Sequence, residues 1–156
     1  MAEAWSFLDF VGAYTGPFGT FELTSEGIST EGVTIAFAED SGSMVIGAKG
    51  DGMHNLRANA SGTATLNYMK TGRINAILSQ LYAFEKSSSA NFGKGTMTFR
   101  NTQTGDYFLC EQCGIRKFPD SGNSVDGNGN AWVFNVIRIT PTLGDGNPEL
   151  LENSAI

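Results

Sequence analysis

Two cysteines, one histidine and a handful of carboxylates are the residues through which this 156-residue chain could do chemistry. Cys110 and Cys113 form a C-x-x-C pair, a spacing used by redox and zinc sites. One such pair supplies only half of a four-ligand zinc site, and His54 is far away in sequence. In a plain strand, positions three apart point to opposite faces, so the spacing predicts two ordinary reduced thiols. A single histidine removes most triads and metal sites, and there is no G-x-S-x-G or H-E-x-x-H run. Glu39 and Asp40 are adjacent, so a strand would turn them apart and leave no acid–base pair. Gly47, Gly50 and Gly52 fall in neither of the phosphate-loop orders, which makes Gly47–Gly52 a loop or tight connection. Asp126-Gly127-Asn128-Gly129-Asn130 opens like a calcium loop, but Ala131 stands where its glycine belongs and Ile137 where its last acid belongs. Asp-Gly and Asn-Gly are also favoured turn pairs, and a turn is the expectation. These residues predict no catalysis, no cofactor and no metal.

Composition points the same way. Hydrophobic residues make up 40% of the chain, which excludes a disordered chain as a whole and allows one domain with its own core over residues 1–156. Formal net charge is −6, and the ten Lys and Arg are scattered, so a grip on nucleic acid through phosphates is disfavoured. The charge is uneven along the chain: residues 1–51 carry a net −7, 52–117 a net +5 and 118–156 a net −4. Opposite patches of this kind suit contacts between neighbouring copies, where they set register and partner choice. No apolar run reaches the ~18–20 residues of a spanning helix, so no membrane anchoring is expected. Met1 to Phe10 has Glu3 and Asp9 and no base, which is not a signal peptide and predicts folding in the cytoplasm.

The elements that would position these residues are mostly strands. Trp5–Val11 can begin an extended segment after an N-terminal arm (1–10), and Gly16-Pro17 marks a turn. Phe18–Thr24 and Glu31–Glu39 read as strands, and Met44–Ala48 as a short extended piece. From Asn55 to Tyr68 all seven odd positions are polar and all seven even ones apolar or Gly, which predicts one very long two-faced strand. Thr71 is a fair helix N-cap, and Ile74, Ile77, Leu78, Leu81 and Tyr82 make the apolar stripe of an amphipathic helix ending at Ser87–Ser89. Gly95–Arg100 and Asp106–Phe118 read as a hairpin, followed by a polar loop over 119–130. Ala131–Thr140 is apolar on both faces, as a central strand covered on each side would be. Pro141–Ile156 reads as an irregular acidic tail. The fold class predicted is mainly β: an antiparallel sandwich or partial barrel with one flanking helix.

The run from Glu31 through Asp40, Met44–His54, the alternating strand and Lys70-Thr71-Gly72-Arg73-Ile74-Asn75-Ala76-Ile77-Leu78 resembles the tail tube proteins of contractile-tailed bacteriophages. The resemblance covers roughly residues 5–140 and is most specific from Glu31 to Leu78. It implies a fold related to the type VI secretion tube and a structural role without catalysis. Six subunits would form a ring, sheets would join edge to edge, and rings would stack into a tube in the virion tail. Implied partners are further copies, a tail sheath protein, baseplate and tail terminator proteins, and double-stranded DNA that passes without being held.

With four strands per subunit on the inner wall, as the resemblance implies, six subunits would give a circumference of roughly 160 Å and a bore of roughly 40 Å, wide enough for a duplex. The polar face of the long strand, Asn55, Asn59, Ser61, Thr63, Thr65 and Asn67, is the candidate bore lining, with Arg57 a charge out of place on it. The stretch holding Asp40, Ser43, Lys49, Asp51 and His54 is the candidate inter-subunit loop, and the termini are candidates for contacts between rings. Two other readings stand beside this one: a type VI secretion-like tube protein, and a non-catalytic β-sandwich module such as a lectin-like or decoration protein of a virion.

Overall fold

The computed structural model describes residues 4–24 and 27–144. After a 3-10 turn at Phe7–Asp9, the chain forms β1 (Phe10–Gly16), β2 (Gly19–Glu22), β3 (Ile28–Phe37), β4 (Gly42–Ile46), β5 (Gly52–Leu56) and β6 (Gly62–Tyr68). Helix α1 (Ile74–Ser87), β7 (Gly95–Asn101), β8 (Tyr107–Lys117) and β9 (Asn130–Thr142) follow. Seven strands form one antiparallel sheet in the order β2-β1-β7-β8-β9-β6-β3, and β4 and β5 pair only with each other.

That order makes the sheet curl. β2 and β3 are consecutive in the chain yet occupy opposite edges. Six residue steps, from Glu22 to Ile28, reach about 20 Å at most. A flat seven-stranded sheet would hold its edge strands about 29 Å apart. The edges must therefore bend toward each other into a partial barrel. A buried contact spans the gap: the Tyr68 hydroxyl on β6 donates to the Leu23 carbonyl, just after β2, at 2.6 Å.

The alternating strands send one face inward. On β6, Gly62, Ala64, Leu66 and Tyr68 are buried while Thr63, Thr65 and Asn67 are half-buried on the outer face. Trp132, Phe134, Val136 and Ile139 of β9, Met97 and Phe99 of β7, and Tyr14 of β1 complete the core. Gly62 has no room for a side chain, because a Cβ there would overlap the Ala36 carbonyl oxygen of β3.

A β-bulge changes the reading of the cysteines. Met97 pairs with Cys110 but Gly95 with Cys113, so two β8 residues face one on β7, and Gln112 takes a left-handed φ of 54°. The extra residue turns both Cys110 and Cys113 inward, not to opposite faces, and both are buried and free.

Other boundaries also differ from the sequence reading. The first strand begins at Phe10 rather than at Trp5. The helix starts at Ile74 after Arg73, without a side-chain cap from Thr71. The fourteen-residue strand is two strands in different sheets, broken over residues 57–61. β9 lies between β8 and β6 as expected of a central strand, but Asn135 and Ile137 on it are exposed. It continues through Pro141, opposite Phe108, where β6 has already ended and no partner needs the missing N–H. The rest of the expected tail, from 145, lies outside the described residues.

Helix α1 lies over the core with Ile74, Leu78, Leu81 and Glu85 buried. Trp132 Nε1–H donates to Asn75 Oδ1 at 3.0 Å, Phe84 packs on Phe18, and Tyr82 on Phe118. Glu85 is 3% exposed. One of its oxygens accepts from Ile115 N–H at 3.0 Å, and the other has no partner among the described residues. Burial pushes its carboxyl up, against the pull of the Ile115 N–H. The folded state then holds a proton that the unfolded chain releases, so stability is highest below the ordinary carboxylate pKa and falls as pH rises above it. Glu85→Gln keeps the acceptor for Ile115 without the charge. Denaturant unfolding should show wild type losing stability relative to Glu85→Gln from pH 5 to 8, whereas Glu85→Ala should cost about 2 kcal/mol, from the N–H left unpaired. A constant gap between wild type and Glu85→Gln across that range would contradict this.

Candidate assembly surfaces

The potentially reactive residues do not converge. His54 sits exposed on β5 opposite Met44. Glu39 faces Arg57 at 3.8 Å, an ion pair half open to water, and Asp40 follows it, exposed, in the connection to β4. Burial pushes the Cys110 thiol up to about 11 and the Cys113 thiol up to about 12, so both are neutral and poor nucleophiles. Asp126 and Gly127 close a tight turn over Ser124–Gly127, with Gly127 at φ 70° and its N–H donating to the Ser124 carbonyl, and Asn130 already opens β9. Among the described residues no three metal-binding side chains cluster, and no helix is long and apolar enough to cross a membrane.

Three surfaces stand out instead. The first is the β4–β5 hairpin, which replaces the expected loop. Its register puts Met44, His54, Ile46 and Leu56 on one face and Val45, Met53, Ser43 and Asn55 on the other. Met44, Val45, Ile46 and Met53 are each more than half exposed, and Leu56 is 90% exposed. Its turn closes with Gly47 N–H donating to the Asp51 carbonyl, and Gly50 supplies the left-handed residue at φ 90° beside Lys49. A two-stranded ribbon with no core of its own is marginal in water, and an apolar patch of this kind marks an interaction site. The sequence signal was the consecutive run Met44-Val45-Ile46, which belongs to neither periodicity and puts apolar side chains on both faces.

The second surface is the outer face of β3, β6 and β9. Thr34 and Ala36 of β3 flank Thr65 and Thr63 of β6, which flank Val133 and Asn135 of β9. Asn67 continues it, donating to the Gly32 carbonyl at 3.1 Å, and Ser61 precedes it. These residues are short and uncharged. Arg57 is not among them, because the strand break carries it to Glu39. Asn55 and Asn59 are elsewhere as well: Asn55 on the hairpin, donating to Ser43 Oγ, and Asn59 in the linker, accepting from Ser61 N–H.

The third surface is the open edge of β3 beside the N-terminal segment. Trp5 packs tilted on Phe7, and Phe7 and Phe10 stack in series onto Phe99 of the core, with centroids 6.3, 5.6 and 5.9 Å apart. Trp5, Phe7 and Phe10 line one side of a cleft of about 420 Å³ whose other side is Ser29–Val33.

Over residues 1–144 the sequence matches the family described as "Bacteriophage PhiTE tail tube protein". The chain belongs to that family. No curated protein sequence matches it. Solved structures of similar fold include the tube-terminating cap of the anti-feeding prophage, at 12% identity and a TM-score of 0.55, covering 92% of this chain and 94% of that one. The sheath–tube complex of the extracellular contractile injection system PVC is similar at 10% identity and 0.55, covering 90% and 92%. The sheath/tube terminator of the same system is similar at 13% identity and 0.54, covering 91% and 99%. At these identities the likeness is one of fold, and it extends over nearly all of each chain. A tail tube subunit has a structural role, and the three surfaces are suited to contact rather than to chemistry.

Proposed function

We propose that this chain is a tail tube subunit whose exposed hairpin and sheet edges are completed by copies of itself. Six copies close into a ring, rings stack into a hollow tube in the virion tail, and double-stranded DNA passes down the bore. The observation that carries this reading is the β4–β5 hairpin, with five apolar side chains in water on two faces and no core beneath them. Asp40, Ser43, Lys49, Asp51 and His54 then belong to an inter-subunit arm. Joining the sheets side by side also covers the open edges of β2 and β3, which would otherwise invite uncontrolled pairing.

The outer face of β3, β6 and β9 is the proposed bore wall, through Ser61, Thr63, Thr65 and Asn67. A basic wall would trap DNA by releasing its counterions, whereas short hydroxyls and amides give phosphates nothing to hold. Asn55 and Asn59 are left out, being outside β6. By likeness to the PVC sheath–tube complex and its sheath/tube terminator, the tube assembles with a sheath and a terminator; a baseplate protein is a further partner in this reading. The same fold likeness suits a tube that delivers protein, as in an injection system; the phage family match favours DNA.

Negative-stain microscopy of the purified protein should reveal hollow rings or tubes. Ile46→Asp with Met53→Asp should abolish them and leave a folded subunit, with a Tm within about 4 °C of wild type. Solid or unordered particles from wild type would contradict the proposal. Ser61→Lys with Thr63→Lys should leave tubes intact but slow DNA delivery several-fold, more so at low salt; unchanged infectivity would remove this face from the bore.

A further inference from the structure

The hairpin and the aromatic cleft lie toward opposite ends of one strand. The cleft is walled by Ser29–Val33, the early part of β3, and the hairpin leaves the chain after Phe37, its last residue. From Val33, at the near end of the cleft wall, to Phe37 the strand runs about 13 Å. Each copy thus presents an exposed apolar arm rooted beyond the Phe37 end of β3 and an open apolar recess along the earlier part of that strand. Trp5 is 62% exposed and Leu8 92% exposed beside that recess.

We infer that the β4–β5 hairpin of one copy seats in the Trp5/Phe7/Phe10 cleft of another, against the open edge of its β3. This rests on the tube-subunit reading and names the partner of its arm as a particular surface of the same chain. Three features favour it over other occupants. Met44 and Met53 carry flexible thioethers, which adapt to irregular gaps and make favourable contacts with aromatic rings. Among the described residues, the charged one lining the cleft is Glu31, held ionised by the Ser29 hydroxyl at 2.6 Å, and the exposed hairpin turn carries Lys49 to face it, with Asp51 two residues on. The cleft also has a rigid floor, since the aromatic series runs back into the core at Phe99. Gly32, at φ 64°, leaves room for Phe7 to lie against β3.

The contact uses two different patches, so it is heterologous and repeats without closing on itself as a two-fold dimer would. The contact acts together with the other contacts of an assembly, whose summed area sets its stability.

The chain has two tryptophans, and Trp132 is buried, so Trp5 is a built-in reporter. Acrylamide quenching of the full-length protein should find one accessible tryptophan in the free subunit. On assembly the quenching should fall several-fold, and Trp5→Phe should remove that change. Met53→Cys can be labelled with bimane, because Cys110 and Cys113 are buried. In assemblies the bimane should be quenched by Trp5 of a neighbour and recover when labelled copies are diluted into an excess of Trp5→Phe copies. Trp5 already protected in the free subunit would mean that its own chain, for example residues 145–156, fills the cleft, and would overturn the inference. Assemblies in which Trp5 stays accessible, or is protected while the bimane is unaffected, would overturn it while leaving the tube reading intact. A chain that forms no assembly at all would overturn both.

Discussion

Five residues, 23 to 27, carry the chain from one edge of a seven-stranded sheet to the other. They are too few to cross a flat sheet, and the curled shape follows from that shortage. Curling gives the sheet an inside, which Trp132, Tyr68, Phe99 and Phe134 fill and α1 covers. It also leaves two strand edges close to each other but not paired. A fully closed barrel would have no edges to offer, and a flat sheet would have a bare face. The partial barrel has both a finished core and unfinished margins, the combination a self-assembling wall requires.

The hairpin is a different kind of incompleteness. The sheet edges lack only hydrogen-bond partners, which water can supply. Met44, Val45, Ile46, Met53 and Leu56 lack apolar neighbours, which water cannot supply. The hairpin therefore has more to gain from a partner than any other exposed element described here. Because its apolar residues face both ways, a single flat contact would leave one face wet. A recess, or two neighbouring surfaces, would cover both.

Much of this was legible in the sequence where periodicity was clean. Helix α1 ran from Ile74 to Ser87 as its apolar stripe required, and the alternation within 62–68 marked β6. The same alternation continued back to Asn55 and misled there, because a change of sheet does not interrupt a period of two. Leu56 fits the apolar set of β6 by parity, yet it points into water on another hairpin. The cysteine spacing misled for a related reason: a single left-handed residue, Gln112, reverses the facing of Cys113, and a glutamine gives no warning of it. The Trp5 cleft was not legible at all. It joins the N-terminal segment to the start of β3, and only the curl of the sheet brings them together. The charge blocks along the chain were visible from the start, but which of them meet depends on contacts between copies.

The central claim is that residues 42–56 are structurally incomplete until another copy covers them. Amide hydrogen exchange compared between free subunit and assembled tube reads this directly. The account predicts that amides of β4 and β5 exchange nearly freely in the subunit and slow by roughly a hundredfold or more on assembly, while those of β6 and β9 are protected in both. A hairpin already protected in the free subunit, or still unprotected in the tube, would contradict it.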